Sequence, residues 1–527
     1  MTRSTDEALG VELDPEIARL LQAPKEREIP RERRVFVNRN LRMDQIEAVG
    51  FDMDHTLAIY RKRRLEQLSF DLTVRLLVRS FGYPSQVESI RYDPSFVIRG
   101  LAVDKLHGNL LKMDRFGYVG LAYHGRRKLD RDERARLYRD EKIPVGSSRY
   151  AWIDTLFALP EASIYAEVIE LLEPSQPLDY ARLYDDVRAA IDTVHRDGSL
   201  KGEMVRDLDS FIYRDPDLGP ALHKLRSSGK KLFILTNSLH DYTCRVMGHL
   251  LDGVLHEYPS WRQYFDFVVV GGAKPGFFTG RSPLLELDGE GATLCEAHSI
   301  ERGKIYQGGN FQDFEAMLGI AGEKILYVGD HIYGDILRSK KSSLWRTCMV
   351  VEELEEELLH LERHAEPMRR LTTYERLQGR LEDELSAQKS RLNLLERRLA
   401  RGDLGGEVRE QKDQERTEAK RLLEKLRRVM REIASTIDRL SAEIENGFNA
   451  YWGLTFKEGA ENSRFGEQVE DFACIYTSRV SNLLFCSPMQ YFRAPRAVMP
   501  HEVGMSPISF FGADDRVPGD RRTRHSS

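Results

Sequence analysis

No apolar run in this chain approaches the roughly 18 residues that a bilayer-spanning helix needs, and Met1 to Glu7 hold no signal-peptide core. A cytoplasmic protein without membrane contact is the expectation. Cysteine is scarce: Cys244, Cys295, Cys348, Cys474 and Cys486 are odd in number and lack CxxC spacing, which argues for reduced thiols against a disulfide framework or a zinc site. An excess of positive charge is also missing. The net charge of −5 argues against a dedicated nucleic-acid binder. What is present is 41% hydrophobic residues, enough for sizeable cores, in a length that predicts about three domains.

The most informative stretch is Asp52-Met53-Asp54-His55-Thr56-Leu57, which follows the apolar run Ile46 to Phe51. That run reads as a short buried strand, and open α/β sheets bind ligands at the C-terminal ends of their strands. Two residues apart, Asp52 and Asp54 can face one pocket, one attacking phosphorus and the other handling the leaving group's proton.

Three further strand-like runs end in chemistry. Leu232 to Leu235 leads into Thr236-Asn237-Ser238 and an amphipathic helix, whose start offers free N–H groups to an anion. Phe265 to Val270 leads to Lys274 through Gly271-Gly272-Ala273, and Ile325 to Gly329 ends in Asp330, followed by Asp335. Taken singly, each has an ordinary reading: a helix cap, a solvated lysine, a turn. Together they supply, in chain order, a nucleophile, an acid/base, donors and a cation for the transferring oxygens, and acids for Mg²⁺.

This set resembles the four signature motifs of the haloacid dehalogenase superfamily. Arg34 to Arg39, Phe51 to Ala58, Asp154 to Glu161, Gly329 to Lys341 and Met499 to Glu502 further resemble the cytosolic purine 5′-nucleotidase family, selective for IMP and GMP, over about Arg34 to His501. The resemblance implies Asp52 as the nucleophile that becomes an aspartyl-phosphate, Asp54 as general acid and then base, and Lys274 as the charge-neutralising lysine. It places Thr236, Asn237, Ser238 and Lys201 at the phosphate, and Asp330 and Asp335 in the metal site. Mg²⁺ is implied between Asp52, Asp330 and the Asp54 carbonyl.

Between the first two motifs, the run Asp185 to His195 has helical periodicity and puts Arg188, Asp192 and His195 on one face. Spacing alone favours an i,i+4 salt bridge between Arg188 and Asp192. The resemblance implies instead that these three contact a purine on which Phe157 stacks. Arginine donating to O6 and N7 and a carboxylate accepting from N1–H fit a 6-oxopurine, whereas adenine leaves such groups unpaired.

The alternation of functional strand ends with helical stretches predicts an α/β Rossmann-like parallel sheet with helices on both faces, an inserted cap and a helical hairpin. Residues 1–33 read as a mobile arm with one short helix at Asp14 to Leu21, and 506–527 as a disordered tail. The catalytic core is expected at 34–100, 200–274, 322–370 and 446–505, and the cap at 101–199 and 275–321. Between Tyr374 and Ile444, one stripe runs Leu377, Leu381, Leu385, Leu392, Leu395, Leu399 and a second Leu422, Leu426, Val429, Ile433, Ile437, Leu440, Ile444. They predict the hairpin at 371–445, an internal antiparallel pair ahead of an oligomer contact.

The expected activity is a Mg²⁺-dependent 5′-nucleotidase acting on purine nucleoside monophosphates. A nucleoside as second phosphoryl acceptor, and a homo-oligomer, are implied by the resemblance. Two readings stand beside it: a phosphatase of another phosphomonoester, for which Arg188 and Asp192 are dispensable, and a non-enzymatic coiled-coil interaction protein. Intact Asp52, Asp54, Lys274 and Asp330 argue against the latter.

Overall fold

The computed structural model describes residues 29–139, 143, 147–332, 335, 343–402, 405–497 and 499. The helix expected at Asp14 to Leu21, the tail 506–527 and all of the Met499 to Glu502 motif but Met499 lie outside the described residues.

Fifteen strands form two sheets: β1 (Phe36–Val37), β2 (Ala48–Phe51), β3 (Leu101–Asp104), β4 (Asn109–Met113), β5 (Val119–His124), β6 (Arg127–Lys128), β7 (Tyr150–Ile153), β8 (Lys231–Leu235), β9 (Phe267–Val270), β10 (Leu284–Leu287), β11 (Thr293–Glu296), β12 (Ile305–Gly308), β13 (Ile325–Gly329), β14 (Arg346–Val350) and β15 (Ile475–Thr477). The large sheet has the order β1-β15-β14-β13-β2-β8-β9-β12-β10-β11. Its stretch from β15 to β12 is parallel throughout.

Strands covered on both faces need apolar residues at successive positions rather than in alternation, and β2, β9 and β13 are buried along their whole length. Val49, Phe51, Leu232, Ile234 and Val328 pack on one face, and Phe233, Leu235, Val269 and Tyr327 on the other. Gly50 lets the second layer close, because a Cβ there would lie 2.3 Å from Phe233 Cζ. After β2 the chain continues to β8 and β9 on one side and returns to β13 on the other, so β2 ends at a topological switch point, where α/β sheets place ligands.

The helices that matter to the site are α1 (Lys62–Ser80), α2 (Leu159–Leu172), α3 (Tyr180–Arg196), α4 (Ser199–Arg206), α5 (His240–Leu251), α6 (Glu353–Arg363), α7 (Ala365–Ala400) and α8 (Gly406–Phe448). A five-stranded antiparallel sheet, β6-β5-β4-β3-β7, forms the cap with α1, α2 and α3. Phe70, Val74 and Leu77 of α1 share one core with Leu101, Val103, Ile164, Leu183 and Val187.

Three boundaries differ from expectation. Helix α1, expected in the catalytic core, divides between the two: Leu65 stays in the core cluster, while Phe70, Val74 and Leu77 meet α2 and α3 in the cap. Trp452, expected in the core segment that follows the hairpin, also belongs to the cap cluster. Residues 275–321, expected in the cap, extend the large sheet: β12 pairs parallel with β9, and β10 antiparallel with β12. The edge strand β11 is exposed at all four residues.

The hairpin is an internal pair of 36 and 43 residues, α7 and α8. Its α8 seam runs Ala419, Leu423, Leu426, Met430, Ile433, Ile437, Leu440, Ile444, an unbroken alternation of four- and three-residue steps. Leu422 and Val429, expected in the seam, are exposed one position outside it, and Leu377 of α7 is exposed as well.

Cap and core are joined by Lys112, whose buried ammonium donates to the carbonyls of Trp452 (2.5 Å), Leu454 (2.8 Å) and Lys457 (2.6 Å) and lies 3.4 Å from Glu458 Oε2. Lys112→Met should leave the Glu458 carboxylate buried without its partner and cost about 3 kcal/mol or more, measured as a lowered denaturation midpoint.

Candidate active site

Asp52, Thr236, Lys274 and Asp330 follow the adjacent strands β2, β8, β9 and β13. Phe51 pairs with Ile234 on one side and Val328 on the other, and the Asp52 N–H donates to the Val328 carbonyl at 2.8 Å. Register thus brings four distant sequence segments to one level. His55 (φ 54°) and Ala273 (φ 50°) are the non-glycine residues with left-handed backbone among the described residues, and both sit in the loops just past catalytic strands, where strain of this kind concentrates.

Lys274 Nζ lies 2.9 Å from Asp52 Oδ1, 2.7 Å from Asp335 Oδ1 and 2.7 Å from the Tyr327 hydroxyl. Asp52 Oδ1 also accepts from the Met53 N–H at 2.8 Å. Asp335 packs so tightly on the strand end that a Cβ on Gly329 would lie 2.6 Å from its Oδ2. Carboxylate oxygens of Asp52, Asp330 and Asp335 lie within 4.8 Å of one another, all buried. Burial pushes Asp52 well above the usual carboxylate range; Lys274 opposes this, and Asp335, Asp330 and Asp54 add to it. Asp330 is pushed up to about 6, again mainly by burial.

Three buried carboxylates around one ammonium are short of positive charge, and their donors are hard oxygens. That donor set fits Mg²⁺ and not a soft metal. Arg99 supports it from outside: its buried guanidinium grips Glu353 of α6 at 3.1 and 2.6 Å and donates to the Asp330 carbonyl at 3.0 Å.

Asp54 turns away from this cluster. Its Oδ1 accepts from the Tyr60 hydroxyl and its Oδ2 from Ser238 Oγ at 2.6 Å. Thr236 Oγ1 takes the Ser238 N–H at 3.0 Å, and the N-cap of α5 is Leu239, with no side-chain cap, so neither Thr236 nor Ser238 caps that helix. Asn237 bonds the Lys274 peptide with both groups, Oδ1 accepting at 2.6 Å and Nδ2 donating at 2.9 Å, and so ties two strand ends together. Lys201, on α4, reaches Ser238 Oγ at 3.1 Å and lies over the Tyr242 ring at 4.6 Å.

On the cap side, the Phe157 ring stands edge-on between His55 (4.6 Å) and His195 (5.3 Å). His55 Nδ1 in turn sits 3.0 Å from Glu352. Burial, with Lys201 adding to it, drives His195 down to about 4. Arg188 makes the i,i+4 contact that spacing favours, 3.4 Å to Asp192, and a shorter one, 2.9 Å, to buried Glu161. Tyr60, Arg99, Glu161 and Tyr327 are site residues that sequence reasoning passed over. Glu161 carried a signal as part of a quoted motif, and Tyr327 lay in the quoted run Ile325 to Gly329.

A parallel sheet with these four strand ends and an inserted cap is the arrangement expected from the resemblance to the haloacid dehalogenase superfamily. The profile of the 5′ nucleotidase family matches residues 35–504. The chain belongs to that family, which places it among the phosphoric monoester hydrolases. It is 30% identical to a 5′-nucleotidase domain-containing protein of Dictyostelium discoideum, over 89% of this chain and 74% of that one. It is 34% identical to 5′-nucleotidase domain-containing protein 2 of Rattus norvegicus, over 66% of this chain, and spans 64% of that relative's length. Among solved structures, a predicted phosphoglycolate phosphatase of Haemophilus somnus aligns with a TM-score of 0.26 at 11% identity, covering 58% of this chain and 86% of that one.

Adding MgCl₂ should raise the melting temperature of the wild type, with stabilisation of about 2.7 kcal/mol at 100 times Kd. Asp330→Asn should lose most of that gain, which calorimetry checks independently of activity.

Proposed function

We propose that this chain is a cytoplasmic, Mg²⁺-dependent 5′-nucleotidase that hydrolyses purine nucleoside 5′-monophosphates, IMP and GMP in preference to AMP, through a phosphoryl-Asp52 intermediate. The observation that carries the reading is the convergence of Asp52, Lys274, Asp330 and Asp335 at neighbouring strand ends. Asp52 attacks phosphorus as the P–O5′ bond breaks, and Asp54 gives its proton to O5′. The resulting Asp54 carboxylate then takes a proton from the water that attacks phosphoryl-Asp52, releasing phosphate. Lys274 neutralises charge on the transferring oxygens, and Thr236 keeps a hydroxyl hydrogen to donate to them. Held by Asp52, Asp330, Asp335 and the Asp54 carbonyl, Mg²⁺ supplies the charge that lets a carboxylate approach a phosphate dianion.

A nucleoside replacing water in the second step gives phosphotransfer by the same groups. For the base, Phe157 offers a ring and His195 a neutral imidazole at physiological pH, while Arg188 and Asp192 face a 6-oxopurine. Homo-oligomer assembly belongs to the same proposal and is supported by the family resemblance alone.

Acid-quenched wild type incubated with ³²P-labelled nucleotide should carry label, and Asp52→Asn should carry none and turn nothing over. Label retained on the variant would sink the covalent assignment.

Asp192→Asn should lower kcat/KM for IMP and GMP by about 1–3 kcal/mol, the scale of one good polar base contact. AMP, with an acceptor at N1, should lose less. p-Nitrophenyl phosphate has no base and serves as control; a common loss over IMP, AMP and the control would make Asp192 structural, a partner of Arg188.

A further inference from the structure

Tyr60 has no part in the reaction as described so far, yet it is 3% exposed and its hydroxyl lies 2.5 Å from Asp54 Oδ1 and 3.0 Å from the Tyr242 hydroxyl. On the other side of the same carboxyl, Ser238 Oγ lies 2.6 Å from Asp54 Oδ2 and 3.1 Å from Lys201 Nζ. The chemistry of each group fixes the donor directions. A lysine has donors and no acceptor, so Lys201 donates to Ser238, and the single serine hydrogen goes to Asp54. Burial beside the Asp54 carboxylate holds the Tyr60 hydroxyl protonated far above the ordinary tyrosine range. Its one hydrogen goes to Asp54 Oδ1, which makes the Tyr242 hydroxyl the donor to the Tyr60 oxygen. Each chain of donors therefore ends on a different oxygen of Asp54.

We propose that Tyr60 is a positioning residue for acid–base catalysis: with Ser238 it clamps the Asp54 carboxyl by both oxygens and aims a remaining lone pair at the leaving oxygen of the phosphoester. The proposal rests on the reading of Asp54 as the general acid and base. A carboxylate offers about four lone-pair sites, and the two hydroxyls take one on each oxygen. The terminal torsion of an aspartate is broad and weakly restrained by itself, so two anchors are what give the carboxyl a single plane. The proton carried on a free lone pair then passes to the ester oxygen as the P–O bond breaks. Tyr60 itself neither gains nor loses a proton. Its ring is set by edge contacts with His55 at 4.9 Å, on the loop that carries Asp54.

The test is Tyr60→Phe, which keeps the ring and removes the hydroxyl, assayed with two substrates of different leaving group. IMP releases a ribose alkoxide that needs the proton; p-nitrophenyl phosphate releases a phenolate that leaves without one. In kcat/KM the shared hydrolysis of phosphoryl-Asp52 does not enter, so the ratio isolates the acid step. General acid catalysis contributes about 10²–10⁴-fold, and the variant should lose about 10- to 100-fold for IMP with less than about threefold change for p-nitrophenyl phosphate. Tyr242→Phe, which removes the donor to Tyr60 together with a weak contact to Met204 Sδ at 3.8 Å, should show the same selectivity in smaller measure and serves if Tyr60→Phe does not fold. Equal losses on both substrates, or none on either, would overturn the positioning role while leaving the nucleotidase reading in place. Wild-type protein that hydrolyses neither substrate in the presence of Mg²⁺ would overturn the nucleotidase reading, and the positioning role with it.

Discussion

Negative charge crowded into one buried space is the constraint on which the rest of this molecule depends. Two unit charges 4 Å apart repel by about 4 kcal/mol at an effective dielectric constant of 20, and Asp52, Asp330 and Asp335 all share a site of that size. Lys274 answers part of the repulsion by bridging Asp52 and Asp335, and the Arg99 guanidinium, 3.8 Å from Asp330 Oδ2, answers another part. A cation bound among these three carboxylates would relieve the remainder. The architecture serves this crowding: a parallel register levels the strand ends, and Gly329 lets Asp335 close on its own strand.

The cap is fastened to that centre by charge as well as by apolar packing. Arg99, immediately ahead of the first cap strand, spans Glu353 and the Asp330 carbonyl, and Asp154, past the last cap strand, meets His331 at 3.3 Å. Burial by itself would lower the His331 pKa, but Asp154 outweighs it and holds it up to about 9. The cap therefore holds the segment that carries Asp330. Phe157 completes the contact from the cap side, since its ring abuts His55 on the loop after the nucleophile.

The strand ends were legible in the sequence because each couples two strong local signals, an apolar run and a reactive residue just beyond it, as in Phe51-Asp52 and Gly329-Asp330. The sheet and hairpin followed from the same periodicities. What was not legible depends on packing across the chain. Helix α1 divides between the core and the cap, which shows only once α2 and α3 are placed against it, and β10 to β12 join the large sheet through pairings with strands distant in sequence. In the α8 seam, neighbouring leucines Leu422 and Leu423 are equivalent by composition, and only the partner helix selects the second. The bonds of Asn237 and Lys201, expected at phosphate-side positions, were equally hidden: Asn237 ties to the Lys274 peptide and Lys201 reaches Ser238.

Asp52 and Asp54, two residues apart, are given different chemistry by the kind of donor each receives. Asp52 is held by the Lys274 ammonium and a backbone N–H, groups that favour the ionised, nucleophilic form and can only donate. Asp54 is held by two neutral hydroxyls, each donating to a different oxygen and leaving other lone pairs free to carry or give up a proton. A residue that must release a proton in one half of a reaction and recover it in the other needs partners that suit both of its states. Charged partners would bind one state too tightly and slow the half-reaction that leaves it. On the proposed roles, putting the cation on Asp52 and the hydroxyls on Asp54 separates nucleophile from acid/base without separating the two residues.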